Sequence, residues 1–176
     1  MEMKNRIVGV VVTIFLMCGQ AVAWQGKVVR VLDGDSILVK RAGRIYEIRL
    51  YGIDAPEYRQ PFGKQAGRIT RDMIKGKIVS IQRMDVDRYH RIVALVKSDG
   101  RLVNRELVRR GAAWLYPKYC QQQPLCRELR SDQQRADKQH LGLWAGKNPL
   151  SPAQWKRRNK RSSHRYHRYF RHHRQY

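Results

Sequence analysis

The chain has 176 residues, 42% of them hydrophobic, with 37 Lys and Arg against 14 Asp and Glu for a net charge of +23. That length and apolar content suit one modest core plus a tail and leave no room for several large domains. A charge excess of this size and sign calls for a polyanionic partner, nucleic acid ahead of an anionic membrane surface.

Residues 1–23 combine Lys4 and Arg6, an apolar run from Ile7 to Met17, and Ala21-Val22-Ala23, the pattern of a cleaved signal peptide. The run is short for a membrane span, and Met17 before Cys18 is a poor context for lipid attachment. Export and a mature start at Trp24 are expected, with secreted or periplasmic localisation and no stable membrane association once the signal is removed. Loss of Glu2, Lys4 and Arg6 lowers the net charge by only one, so the basic character belongs to the mature chain. Cys120 and Cys126 then remain as an even pair. In an exported protein a disulfide between them is the default and two free thiols the alternative.

Lys27 to Leu32 and Ser36 to Lys40 read as strands joined by an Asp33-Gly34-Asp35 hairpin turn. Tyr46 to Tyr51 alternates, with Ile48 and Leu50 on one face and Glu47, Arg49 and Tyr51 on the other, so Arg49 lies off the core. Gly52 and Pro56 bracket a turn that places Asp54 and Glu57 on a stiffened loop. Phe62, Ala66, Ile69 and Met73 recur at helical spacing, with Gly76 as a stop. Strands follow at Ile78 to Gln82 and Ile92 to Lys97, then a turn at Asp99-Gly100. Leu102, Val103, Leu107 and Val108 mark a second helix ending at Gly111, and Leu125, Leu129 and Ala136 a third. This order predicts an α+β, mainly β fold: a five-stranded OB-fold barrel over residues 24–146 with about three packed helices.

Residues 147–176 are expected to form a disordered basic tail, since Ser151 to Tyr176 has no acid and no apolar period. Within it, Arg165, Arg168, Arg171 and Arg174 recur every third residue among Tyr166, His167 and Tyr169. An extended chain would line those guanidinium groups along a phosphate backbone. A cut after Ala153 is therefore expected to spare folding and kcat and to raise KM on long nucleic acid.

Asp35, Asp54 and Glu57 stand out in a chain with few acids. Carboxylates with a backbone carbonyl suit a hard cation such as Ca²⁺ or Mg²⁺, although an isolated Asp-Gly-Asp is equally a turn former. Asp87-Arg88-Tyr89-His90-Arg91 between two strands offers guanidinium forks matched to phosphate, or a solvated hairpin. Tyr116 and Tyr119, beside Trp114 and Lys118, could stack on bases or simply line the barrel rim.

Four separated segments carry a resemblance: Val31-Leu32-Asp33-Gly34-Asp35-Ser36, Ile48-Arg49-Leu50-Tyr51-Gly52-Ile53-Asp54-Ala55-Pro56-Glu57, Asp87-Arg88-Tyr89-His90-Arg91, and Val103-Asn104-Arg105-Glu106-Leu107-Val108-Arg109-Arg110-Gly111. In this order they strongly resemble the staphylococcal-nuclease-like thermonucleases, over about Gln25 to Ala145. The resemblance implies an OB-fold, Ca²⁺-dependent phosphodiesterase that cleaves DNA and RNA and leaves 3′-phosphate ends, acting as a monomer. Asp35 and Asp54 would bind Ca²⁺ with the Ala55 carbonyl, Glu57 would be the general base, and Arg49 and Arg91 would hold the phosphate. Arg88, Tyr89, Tyr116 and Tyr119 would contact substrate. Ala55 stands where threonine is common and Arg88 where lysine is, both compatible with these roles. His90 stands where the family has glycine, which implies a strained or reshaped loop beside Arg91. The rival readings are a catalytically weak nucleic-acid-binding module on the same fold and a basic surface-binding protein. All five catalytic and acidic ligand side chains are present, which favours the enzyme.

Overall fold

The computed structural model describes residues 23–159; the signal segment before residue 23 and the arginine-repeat stretch beyond residue 159 lie outside it. Eight strands and the first three α-helices of the described residues follow in order: β1 (Trp24–Val31), β2 (Ser36–Arg41), β3 (Arg44–Leu50), β4 (Ile53–Asp54), α1 (Gly63–Ile74), β5 (Ile78–Val86), β6 (Ile92–Ser98), β7 (Arg101–Leu102), α2 (Val103–Arg109), β8 (Trp114–Leu115) and α3 (Leu125–Lys138). Antiparallel pairing runs β3-β2-β1-β5-β6, and β6 returns parallel to β3 through Ile48 opposite Ile92 and Leu50 opposite Ala94. This last pairing closes the sheet into the expected five-stranded barrel. Closure removes both long edges, and the inward residues Val28, Ile37, Val39, Ile48, Leu50, Ile81, Ala94 and Val96 form its core. Bulges in β1 between Val28 and Arg30 and in β5 between Arg83 and Asp85 supply the bend such a small barrel needs.

Two details differ from the expectations above. The helix α1 buries Gly63, Ala66, Gly67, Thr70 and Ile74, with Phe62, Ile69 and Met73 only partly covered, so its core stripe is rotated by about one residue and, up to Ile74, is built from small side chains. That lets the helix sit close to the β1–β2 turn. A Cβ on Gly34 would come within 2.6 Å of the Ala55 Cβ and 3.1 Å of the Ala66 Cβ, and the Thr70 hydroxyl donates to the Gly34 carbonyl at 2.7 Å. Gly34 is thus where turn, loop and helix meet. The second difference concerns the stretch expected to lack structure. Residues 152–159 are helical, started by a reciprocal cap in which the Ser151 N–H donates to Gln154 Oε1 at 2.8 Å and the Gln154 N–H to Ser151 Oγ at 3.4 Å. A Ser-Pro-x-Gln start is a readable helix signal even where no apolar period follows.

Asn104 on α2 locks the closing seam. Its Oδ1 accepts the Val96 N–H at 3.0 Å, and its Nδ2 donates to the carbonyls of Tyr51 at 3.0 Å and Ala94 at 3.2 Å. The side chain is fully buried, so Asn104→Ala strands the Val96 N–H and the Tyr51 carbonyl away from water, while the Ala94 carbonyl keeps the Tyr51 N–H at 2.8 Å. A loss of about 2–3 kcal/mol is expected, measured as a shift in the denaturant midpoint at unchanged slope. A shift under a few tenths of a kcal/mol would mean that the seam does not depend on this amide. Cys120 and Cys126 are joined, across the base of the loop leading into α3. Among the described residues no helix is long and apolar enough to cross a membrane.

Candidate active site

The site is assembled where β3 leaves the barrel. Arg49 projects from the outer face of β3, as its alternation with buried Ile48 and Leu50 requires. Gly52, at φ +74°, reverses the chain immediately afterwards. The short strand β4 then pairs with β8, Ile53 opposite Leu115 and Asp54 opposite Trp114, which brings Asp54 back beneath Arg49. Asp35 arrives from the β1–β2 turn, held there by the close packing at Gly34.

These three side chains form one charge cluster, Asp35 buried and Arg49 and Asp54 partly covered. Arg49 Nη2 donates to Asp54 Oδ1 at 2.7 Å, and Nη1 lies against Asp35 Oδ1 without the angle of a hydrogen bond. Asp35 is fixed from its other side, where Oδ2 accepts the Ala55 N–H and Oδ1 accepts the Ser36 hydroxyl at 3.2 Å. Asp33 supports the turn by accepting the Asp35 N–H at 3.0 Å. Burial pushes the Asp54 carboxyl above its ordinary value, with Arg49 and then Lys156 only partly offsetting it. Burial raises Asp33 in the same way against the opposing charge of Arg49. The acids are therefore not fully balanced by the cations around them.

Glu57 sits on the loop between β4 and α1, with its side chain 39% exposed and open to solvent. Its N–H donates to Gln60 Oε1 at 3.1 Å, and its carbonyl accepts the Gln60 N–H at 2.8 Å. The loop packs so tightly on the start of α1 that any side chain at Gly63 would overlap the Glu57 carbonyl. Asp54 and Glu57 are thus held by different neighbours, one buried under a guanidinium and the other at the surface.

Arg91 reaches the same face from the β5–β6 hairpin. Its Nε and Nη2 fork onto Asp87 Oδ2 at 2.8 and 2.7 Å, while Nη1 is 3.9 Å from Glu47 Oε1. Glu47 and Arg49 are two residues apart on β3 and share one face, so both arginines stand over that face. Burial works against the Asp87 charge, but the Arg91 side chain and the backbone N–H groups of Arg91 and Tyr89 outweigh it and hold the carboxyl below its ordinary value. His90 adopts φ +62°, the left-handed conformation that glycine takes without cost, so the expected strain is present. Arg88 and Arg91 both lie over the ring of Tyr89, at 5.4 and 5.5 Å, and Tyr89 itself is widely exposed. Tyr116 is placed by its N–H bond to the Gly52 carbonyl at 2.8 Å and meets Tyr119 edge-on at 4.8 Å.

Three groups in or beside the site make contacts that motif order does not single out. Asp87 aims Arg91, Gln60 braces Glu57, and Lys156 in the helix 152–159 places its Nζ 2.6 Å from Glu57 Oε1. The Lys156 contact, and the second bond of Gln60 to the Leu150 carbonyl 90 residues further on, lie beyond any local pattern.

Among the described residues no three His, Cys, Asp or Glu side chains cluster as a ready-made metal group. The converging oxygens are the two carboxylates of Asp35 and Asp54, next to the backbone of Ala55. As oxygen donors they fit a hard divalent cation better than a soft one.

Residues 47–146 match the family described as Staphylococcal nuclease homologue. The chain belongs to that family. It is 40% identical over 134 residues to an uncharacterized endonuclease of Escherichia coli, covering 76% of this chain and 85% of that one. A similar protein of Haemophilus influenzae, also described as an uncharacterized endonuclease, is 35% identical over 76% of this chain and 74% of its own. The micrococcal nuclease of Shigella flexneri is 33% identical over 80% of this chain and 87% of its own. Within the family match fall Arg49, Asp54, Glu57, Arg91 and Asn104, whereas Asp35 precedes it and Lys156 follows it.

Proposed function

We propose that the chain is an exported, Ca²⁺-dependent nuclease that hydrolyses phosphodiester bonds of DNA and RNA and leaves 3′-phosphate ends. The observation that carries this reading is Arg49 wedged between Asp35 and Asp54, with an accessible carboxylate, Glu57, three residues further on. A phosphodiester resists attack because it is already negative, so catalysis needs fixed positive charge at the phosphoryl oxygens and a base for water. Arg49 and Arg91 would supply the cations, Arg49 held by Asp35 and Asp54 and Arg91 by Asp87, with Arg91 Nη1 turned toward Glu47 on the face of β3 that carries Arg49. Glu57, unlike Asp54, is open enough to take a proton from water. Asp35, Asp54 and the Ala55 carbonyl would hold the Ca²⁺, which would act as a Lewis acid on a phosphoryl oxygen. Tyr89 with Arg88, and the Tyr116–Tyr119 pair, would provide aromatic faces for bases.

All of these groups come from one chain, in keeping with a monomer. The Cys120–Cys126 disulfide supports an oxidising compartment, periplasmic or extracellular. The test is incubation of the mature protein with plasmid and with RNA, in Ca²⁺ and in EGTA. Cleavage of both only with Ca²⁺ is expected; retention of intact nucleic acid in a shifted band would indicate a binding module instead.

The metal reading also makes a thermal prediction. A ligand that binds only the folded state raises Tm, so Ca²⁺ should stabilise the protein at neutral pH. Because the folded-state value of Asp54 is raised above 3.8, its contribution to stability is full below the unfolded value and is lost as pH rises through the folded one. Descending in pH should therefore relieve the metal-free protein while protonating a ligand, and the Ca²⁺-induced gain in Tm should shrink. A Ca²⁺ effect on Tm that persists in Asp54→Asn would remove Asp54 from the site.

A further inference from the structure

Glu57 is tied to the far end of the chain by two contacts. Gln60, only 5% exposed, accepts the Glu57 N–H with its oxygen and donates with its nitrogen to the Leu150 carbonyl. One buried amide thus registers residue 150 against the loop of the base. The Ser151 cap starts the helix at that point, with Pro152 buried at its first position, and one turn later Lys156 meets Glu57 Oε1 at 2.6 Å. The charge of Lys156 also reaches Asp54.

This ion pair has two properties that suit exchange. Lys156 is 60% exposed and Glu57 39%, so water competes for both partners and the pair is weak. An ammonium on a flexible stem also has three rotatable donors and can change partner without moving the helix. A nucleic acid entering the site brings phosphates to the cation and a water to the carboxylate. The scissile phosphate has Arg49 and Arg91, which leaves its neighbour along the strand for Lys156.

We propose that Lys156 is a substrate contact, capping Glu57 in the free chain and transferring to a phosphate flanking the scissile one when nucleic acid binds. This rests on the nuclease reading above. It also assigns to residues 152–159 part of the KM effect expected from cutting the chain after Ala153, independently of the arginines further on.

The test compares wild type, Lys156→Gln and Lys156→Arg, with Ca²⁺, on an oligonucleotide and on a dinucleoside monophosphate, which has a single phosphate. Lys156→Gln should raise KM on the oligonucleotide about three- to tenfold and leave KM on the dinucleoside monophosphate unchanged, at unaltered Tm. Lys156→Arg, which keeps a phosphate donor, should recover most of the loss. An unchanged oligonucleotide KM, or equal rises on both substrates, would overturn the flanking-phosphate contact. Failure of wild type to cleave either substrate would instead overturn the nuclease reading, so the two failures are told apart.

Discussion

Glu57→Gln is expected to fold and to bind nucleic acid but to turn it over about 10²–10⁴-fold more slowly. Gln is nearly isosteric and retains an oxygen acceptor, yet it cannot take a proton from water at neutral pH. The hydrogen bonds that shape the loop run through the Glu57 backbone to Gln60, and they survive the substitution. The Glu57 carboxylate itself pairs with Lys156, and exposed ion pairs of this kind contribute about 0–1 kcal/mol. Tm should therefore stay close to wild type while kcat falls. Turnover within a few-fold of wild type would leave Glu57 without a catalytic part, because Asp54, the next carboxylate on the loop, is committed to Arg49.

The reasons the site was legible are local ones. Alternation in β3 placed Arg49 outside the barrel, and Gly52 and Pro56 marked the turn that carries Asp54 and Glu57. The motif order then supplied what period and spacing alone left open, that Asp35 in a distant turn and Arg91 in a hairpin belong to the same place. What escaped was tertiary. Gln60 looks like any loop glutamine until its amide is found shared between residues 57 and 150. Lys156 is one lysine among 37 basic residues, and charge counting cannot say which of them faces a carboxylate. The helix that carries it has polar residues on most sides, so hydrophobic period was the wrong signal, while its cap was readable. The rotated face of α1 has the same lesson in reverse: the large apolar residues drew the stripe, but close packing against Gly34 selected the small ones.

Arg49→Lys should cost more than Arg91→Lys, because the Arg49 side chain has two tasks that an ammonium cannot share. Its guanidinium spans two carboxylates at once, with Nη1 toward Asp35 and Nη2 bonded to Asp54. Lysine, a compact point charge, would satisfy one and leave the other buried beside no fixed cation. Since burial already raises Asp54 despite Arg49, the unpaired acid would be driven further toward its protonated form and away from service as a metal ligand. On the nuclease reading proposed above, loss of the planar fork would also remove a two-point hold on the phosphoryl oxygens, the kind of preorganised charge whose removal costs about 10²–10³ in kcat. Arg91→Lys should be milder in stability, since Arg91 engages one principal acid, Asp87, through adjacent donors. The expected result is thus a kcat loss for both variants, with a raised Ca²⁺ requirement for Arg49→Lys alone. Titrating Ca²⁺ against rate for the pair measures it directly. Equal Ca²⁺ midpoints in the two variants would show that Arg49 does not organise Asp35 and Asp54, and a rise in KM with kcat intact would reduce both arginines to substrate holders.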